Sequence, residues 1–259
     1  MGHVARLYKY RDLLLLWIAR EIRVRYKQSL LGVGWAILQP LALTIVFTFV
    51  FSHLVRIDTR GVPYPIFAYA ALVPWTFFTT SLSFGIPSLV NNMNLVTKIY
   101  FPREVLPLAS IGAAFLDFLI ASLIFGGMLA FYRIWPGLRA LWVIPLLAIQ
   151  VTLTIAVTLI GSTVIVFFRD MRFVVPLLTQ VWMYATPIVY PMDLVPERLQ
   201  PYYFLNPMAG IIDGYRRVLV IGQDPRLSAL LPGAIVSLTL LLASYKGFKR
   251  AEPAFADLI

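Results

Sequence analysis

The chain has 259 residues, of which 60% are hydrophobic and 13% charged, and it carries a formal net charge of +10. A soluble domain of this size would expose too much apolar surface, so the composition excludes a large water-soluble helical core and points to a membrane protein. The absence of cysteine excludes a disulfide framework, a thiolate nucleophile and a Cys-ligated metal, and two histidines, His3 and His53, do not provide for a histidine metal site or catalytic triad.

In chain order, the first predicted element is a helix before the first long apolar run. Leu14, Ile18, Ile22, Tyr26 and Leu30 recur every four residues, whereas Arg20, Arg23 and Lys27 share another face. That pattern predicts an amphipathic helix lying in the membrane interface, within segment 1–33. Glu21 stands four residues before Arg25, a spacing that predicts a local ion pair worth about 0.3 kcal/mol. The short apolar run 13–19 is followed at once by Arg20 and has no small-residue cleavage site, so it does not read as a secretory signal. Gly32 and Gly34 then mark a sharp turn.

Six long runs follow: 35–55, 66–90, 105–132, 142–168, 173–192 and 227–245. Spanning a hydrocarbon core of roughly 30 Å takes about 20 helical residues, so each run predicts a transmembrane helix. With the N-terminus inside, the inner segments carry fourteen of the 22 Lys and Arg residues. This bias predicts cytoplasmic termini and assigns the basicity to orientation and to contact with anionic lipid rather than to nucleic acid. Asp117 is the only acid inside a run, and an ionised carboxylate there costs about 2.5 kcal/mol or more unless paired or wet. It is a candidate functional group, or else a protonated acid bonded to a neighbouring hydroxyl.

The gaps between the runs hold the remaining signals. Segment 91–104 is the most polar inner connection, with Asn91, Asn92, Asn94, Thr97, Lys98, Arg103 and Glu104. Met93, Leu95, Ile99, Tyr100 and Phe101 are interleaved there, and are expected to be exposed for a partner's groove or to lie against the membrane. The outer segment 193–226 contains an apolar stretch, 199–212, too short to span, which predicts re-entrant helices bent at Asn206-Pro207. One membrane domain, 1–259, then accounts for the chain: 1–33, spans one to five over 34–192, the outer helices over 193–226, and span six with a tail over 227–259. No phosphate-cradling Gly-rich loop, Asp-x-Asp pair or zinc helix occurs, so the chain is not expected to be an enzyme or to hydrolyse ATP itself. Trp, Tyr and Phe residues in the runs suit stacking on sugar faces as well as interface anchoring or lipid contact. Gln39, Gln150 and Gln180, with Thr44, Thr152, Thr154 and Thr158, suit either a polar path or bonds between helices.

Particular strings are more specific. Arg25-Tyr26-Lys27-Gln28-Ser29-Leu30-Leu31-Gly32 with Trp35 and Gln39-Pro40 resembles the start of the first span in polysaccharide-exporting ATP-binding cassette permeases. Phe101-Pro102-Arg103-Glu104, Phe168-Arg169-Asp170, Thr186-Pro187 with Tyr190-Pro191, and Asn206-Pro207 with Gly214 and Arg216 resemble later motifs of that family, in the same order. The resemblance runs over about residues 20–217. It is strongest to the O-antigen exporter permeases, with capsule and teichoic acid exporter permeases as near relatives.

The resemblance implies an all-α polytopic fold of the type 2 ATP-binding cassette exporter in the inner (plasma) membrane. It also implies a homodimer joined to two nucleotide-binding ATPase subunits, which would hold the ATP and Mg; this chain would need no cofactor. A lipid-linked polysaccharide, O antigen first, would pass between the two permeases. On this basis Arg20, Arg23, Arg25, Tyr26 and Lys27 are expected at a gate by the lipid headgroups, where Arg and Lys suit phosphate. Trp35, Gln39, Thr44, Phe47, Phe51, Gln180, Trp182 and Tyr184, on spans one and five, are expected in the channel wall. Asn91, Asn92, Met93, Lys98, Phe101, Pro102, Arg103 and Glu104 are expected in the loop that couples to the ATPase, and Tyr202, Tyr203, Asn206 and Arg216 at the outer gate. An exporter of a small drug or lipid, or a membrane glycosyltransferase, is the rival reading.

Overall fold

The structure, a computed structural model, describes residues 10–59, 61–98 and 101–255, and all regular structure among the described residues is helical. Helix α1 (Arg11–Tyr26) leads through a tight turn at Gly32, whose φ of 52° suits a residue without a Cβ, into α2 (Trp35–Thr48), which continues as a wider turn over Phe49–Leu54. Then come α3 (Tyr64–Gly85), the short α4 (Ser88–Asn91) and α5 (Met93–Lys98), α6 (Val105–Phe131) and α7 (Val143–Phe167). The chain ends with α8 (Met171–Tyr184), α9 (Gln200–Tyr203), α10 (Pro207–Arg216) and α11 (Leu227–Ala251).

Five helical stretches among the described residues are long and apolar enough to cross a membrane: Gly32–Ser52, Tyr64–Gly85, Val105–Phe131, Gly137–Phe167 and Leu227–Ala254. The expected fifth run, 173–192, folds differently. Its helix, α8, has 14 residues and so reaches only about 21 Å, short of a core of roughly 30 Å. Helix stops where Pro187 lacks an N–H and disfavours helical backbone at Thr186. Residues 186–189 turn inward and are buried.

Helix α3 is the axis of the fold and is apolar almost all round. One face, including Phe67, Leu72, Trp75 and Phe78, packs with Leu146 and Leu153 of α7 and Ile211 and Tyr215 of α10. The opposite face, including Tyr69, Val73 and Phe77, packs with Ile111, Ala114, Phe118 and Phe125 of α6. Gln150 on α7 is fully buried and donates through Nε2 to the Pro74 carbonyl of α3 at 2.7 Å. Of the two roles open to this glutamine, it takes the bond between helices, whereas buried Thr154 turns back within α7 to the Gln150 carbonyl at 2.7 Å.

Two small-residue contacts set helix spacing. A Cβ at Gly112 would lie 2.6 Å from Cδ1 of Ile18, so its absence lets α1 lie against α6. A Cβ at Gly210 would lie 2.6 Å from the Ala229 carbonyl oxygen, and backbone cannot yield as a side chain can. Gly210→Ala is therefore expected to lower the thermal midpoint of the detergent-purified chain, with a cost of about 1–3 kcal/mol or more. Gly126→Ala, where nothing lies within 4 Å, should not; equal midpoints for the two variants would contradict the close α10–α11 approach.

Candidate functional site

Helix α1 packs lengthwise against the start of α6. Leu13, Leu14 and Trp17 pack on the cluster that contains Val105 and Leu106, Ile18 meets Gly112, and Arg25 and Tyr26 reach Asp117, so α1 climbs alongside α6. The predicted apolar face holds from Leu14 to Tyr26, but the helix ends there and Leu30 is 99% exposed. Leu15, Leu16 and Val24 form additional exposed apolar surface.

At the top of α1, Arg25 Nη1 donates to Asp117 Oδ2 at 2.5 Å and the Tyr26 hydroxyl donates to Oδ1 at 2.6 Å. The expected Glu21–Arg25 pair is therefore absent. Glu21 pairs instead with Arg20 at 3.1 Å, while the Arg25 guanidinium turns to the Asp117 carboxylate. The side chains of Arg25 and Asp117 are 9% and 14% exposed, and the guanidinium lies 4.1 Å from the Phe84 ring centroid. Burial and the bond to Asp117 hold the Tyr26 pKa above its usual value, which keeps the hydroxyl a donor. Arg25 Nε and Nη2 are buried with no hydrogen-bond partner among the described residues.

Beside this junction lies a cavity of about 400 Å³ between α1, α2, α3 and α6. Thr76, Thr79, Thr80 and Ser83 supply hydroxyls on one wall, and Trp35 and Gln39 face them from α2. Two expected channel residues and two expected gate residues, Trp35, Gln39, Arg25 and Tyr26, thus meet in one place. The other gate residues do not join them: Arg20 lies 4.5 Å from the Trp17 ring, Arg23 bonds the Ala19 carbonyl, and Lys27 is exposed.

The remaining channel set divides. Gln180 and Tyr184 are exposed on α8. Phe47 and Phe51 are half-buried against the core, Phe51 stacked on Tyr64 at 6.2 Å. Trp182 sits edge-on to Phe78 at 5.1 Å and donates to Asn206 Oδ1. Thr44 is a correction: it is buried, with its hydroxyl turned back to the Pro40 carbonyl at 2.8 Å, and presents nothing to a path.

Segment 91–104 also divides, with Ile99 and Tyr100 outside the described residues. Asn91, Met93, Asn94, Thr97 and Lys98 are exposed and Asn92 half-buried. Phe101, expected at the surface, is buried with Pro102, in a cluster with Leu89, Val96 and Phe248, because an aromatic ring gains more from that contact than from water. Glu104 is 2% exposed and ion-paired to Lys249 at 2.6 Å, and Arg103 bonds Glu252 through its own N–H and guanidinium. The Phe-Pro-Arg-Glu string is thus a clamp on the end of α11, not a free docking face. No local pattern could reveal partners 145 residues away.

The outer motifs likewise converge. Arg216, expected at a gate, is 3% exposed and donates to the carbonyls of Phe67, Pro187, Ile188 and Tyr190. Burial pulls its pKa down to about 9, which leaves it charged at neutral pH. Asn206 caps α10 at the Met208 N–H, accepts from Trp182 and donates to Thr186 at 2.9 Å. Tyr202 is exposed, while Tyr203 is half-buried with its hydroxyl 3.3 Å from that of Tyr190.

The family described as ABC-2 type transporter matches residues 12–220. The O-antigen export system permease protein RfbA of Myxococcus xanthus is 30% identical over 259 residues, 99% of this chain and 98% of that protein. A protein of the same name from Klebsiella pneumoniae is 34% identical over 212 residues, 82% of this chain and 81% of its own. The polysialic acid transport protein KpsM of Escherichia coli is 24% identical over 237 residues, 88% of this chain and 90% of its own.

Asp117→Asn leaves the Arg25 guanidinium buried without a counter-charge and is expected to cost about 3–5 kcal/mol. Arg25→Leu combined with Asp117→Leu should recover most of that loss. A thermal-midpoint double-variant cycle on the purified chain checks this, and additive losses would mean the two residues do not act as a pair.

Proposed function

We propose, from the premise that the chain belongs to the ABC-2 type transporter family, that it is the membrane-embedded permease of an ATP-driven exporter of a lipid-linked polysaccharide, O antigen first among them. The chain is a multi-pass membrane protein. In this reading it lies in the inner membrane with both termini cytoplasmic, pairs with a second copy, and is driven by two ATPase subunits that hold ATP and Mg. The exposed part of segment 91–98, with Met93, Thr97 and Lys98, is the surface offered to that ATPase.

The observation that carries the reading is the α1–α2–α3–α6 cavity, with hydroxyls on one side, Trp35 and Gln39 on another, and the side chain of Arg25 in its wall. Hydroxyls and an amide suit a polyol, an indole suits sugar C–H faces, and a guanidinium suits phosphate. The surrounding lipid suits the carrier's apolar tail. The chain itself performs no covalent step: it binds, orients and passes its cargo, and the energy comes from its partner.

A deletion strain tests this directly. Retained glycan synthesis with lost surface display is expected, whereas loss of the polymer itself would make the chain an enzyme of synthesis. In the reconstituted complex, Met93→Asp with Lys98→Glu is expected to keep ATP hydrolysis and reduce export about tenfold or more, since like-charge contacts across an interface cost a few kcal/mol. Phe101→Asp should instead reduce the amount of folded protein, because that ring is buried. Normal export in the Met93/Lys98 variant would remove 91–98 from the ATPase interface.

A further inference from the structure

A second cavity of about 610 Å³, separate from the one under α1, opens between α6, α7 and α11. Its floor is Leu108, Ile155, Leu159, Leu241 and Leu242, and its mouth is formed by Tyr245, Lys246, Lys249 and Arg250. The volume falls in the range of pockets that hold a small ligand.

The cations at the mouth are not equivalent. Lys249 is occupied, paired to Glu104 at 2.6 Å and to Glu252 at 3.0 Å. Lys246 and Arg250 are exposed and have no ion-pair partner among the described residues. They follow Leu242 at successive intervals of four, so one face of α11 passes from apolar groove to two free cations in two turns. The cations stand at the end of the last spanning stretch, Leu227–Ala254, where a helix leaves the hydrocarbon and meets headgroups.

We propose that this groove is a binding site for an anionic glycerophospholipid, held by its acyl chain along Leu108, Ile155 and Leu242 and by its phosphate at Lys246 and Arg250. Charge complementarity selects this occupant: an apolar floor rejects a free anion, and two uncompensated cations prefer a net negative headgroup over a zwitterionic one. The bound lipid covers the side of the bundle where the clamp of residues 101–104 meets α11. It stands outside the proposed cargo cavity, so its occupancy does not depend on what the chain exports.

The test uses the full chain reconstituted in nanodiscs of equal parts phosphatidylglycerol and phosphatidylcholine, with lipid retained after detergent extraction counted by native mass spectrometry. The wild type is expected to retain phosphatidylglycerol over phosphatidylcholine by about 25-fold, the product of a fivefold preference for each of the two free cations. Lys246→Gln with Arg250→Gln should bring that ratio close to one, and Leu242→Trp, at an exposed position, should reduce retention of both lipids. Arg133→Gln, far from the groove in the turn after α6, should change neither. Equal retention of the two lipids by the wild type, or an unchanged preference in the Lys246/Arg250 variant, overturns the site.

Discussion

An ionised group inside a bilayer has to find its opposite within the protein, and here one such requirement organises the N-terminal half. Asp117 lies well inside α6, and the nearest cation able to reach it comes from a segment ninety-two residues earlier, at the end of α1. Bringing Arg25 there draws α1 up along α6 over Gly112, places Tyr26 on the second carboxylate oxygen and closes one wall of the hydroxyl-lined cavity. A buried pair of this kind is weak in net stabilisation, but either partner alone is very costly. That asymmetry makes the contact a determinant of where α1 sits.

The same rule shapes the opposite end of the bundle. Residues 186–189 leave helical form where they are buried in the protein, so their carbonyls need partners other than water. Arg216, buried in α10, supplies the missing donors to Pro187, Ile188 and Tyr190 and also to Phe67 of α3. Asn206 adds bonds to Trp182 and Thr186. Three motifs that are far apart in the chain are therefore one network, and its job is to let irregular backbone exist inside the apolar core. At the other face, Glu104 with Lys249 and Arg103 with Glu252 tie the start of α6 to the end of α11.

Much of this was legible in the sequence. Apolar runs of about 20 residues or more predicted the spanning helices, and the strings around residues 25, 101, 168, 187 and 206 pointed to the family before any geometry. Of the site, Trp35, Gln39, Arg25 and Tyr26 were named beforehand and do share a cavity. Several expectations about exposure failed. Phe101, Glu104, Thr44 and Arg216 look like surface or channel residues from their neighbours in the chain, yet their surroundings come from elements far away in sequence. The fifth run failed for another reason: its hydrophobicity counted 20 residues, but Pro187 ends its helix within them.

The sequence by itself determined that the chain is a bundle of membrane helices and which family it belongs to, because hydrocarbon thickness and backbone hydrogen bonding translate apolar length directly into spans. Only the tertiary structure decided which charges are partners. Ion pairing depends on separation in space, and Arg25 with Asp117, Glu104 with Lys249 and Arg216 with four carbonyls are each brought together by the packing of helices whose order along the chain says nothing of their proximity.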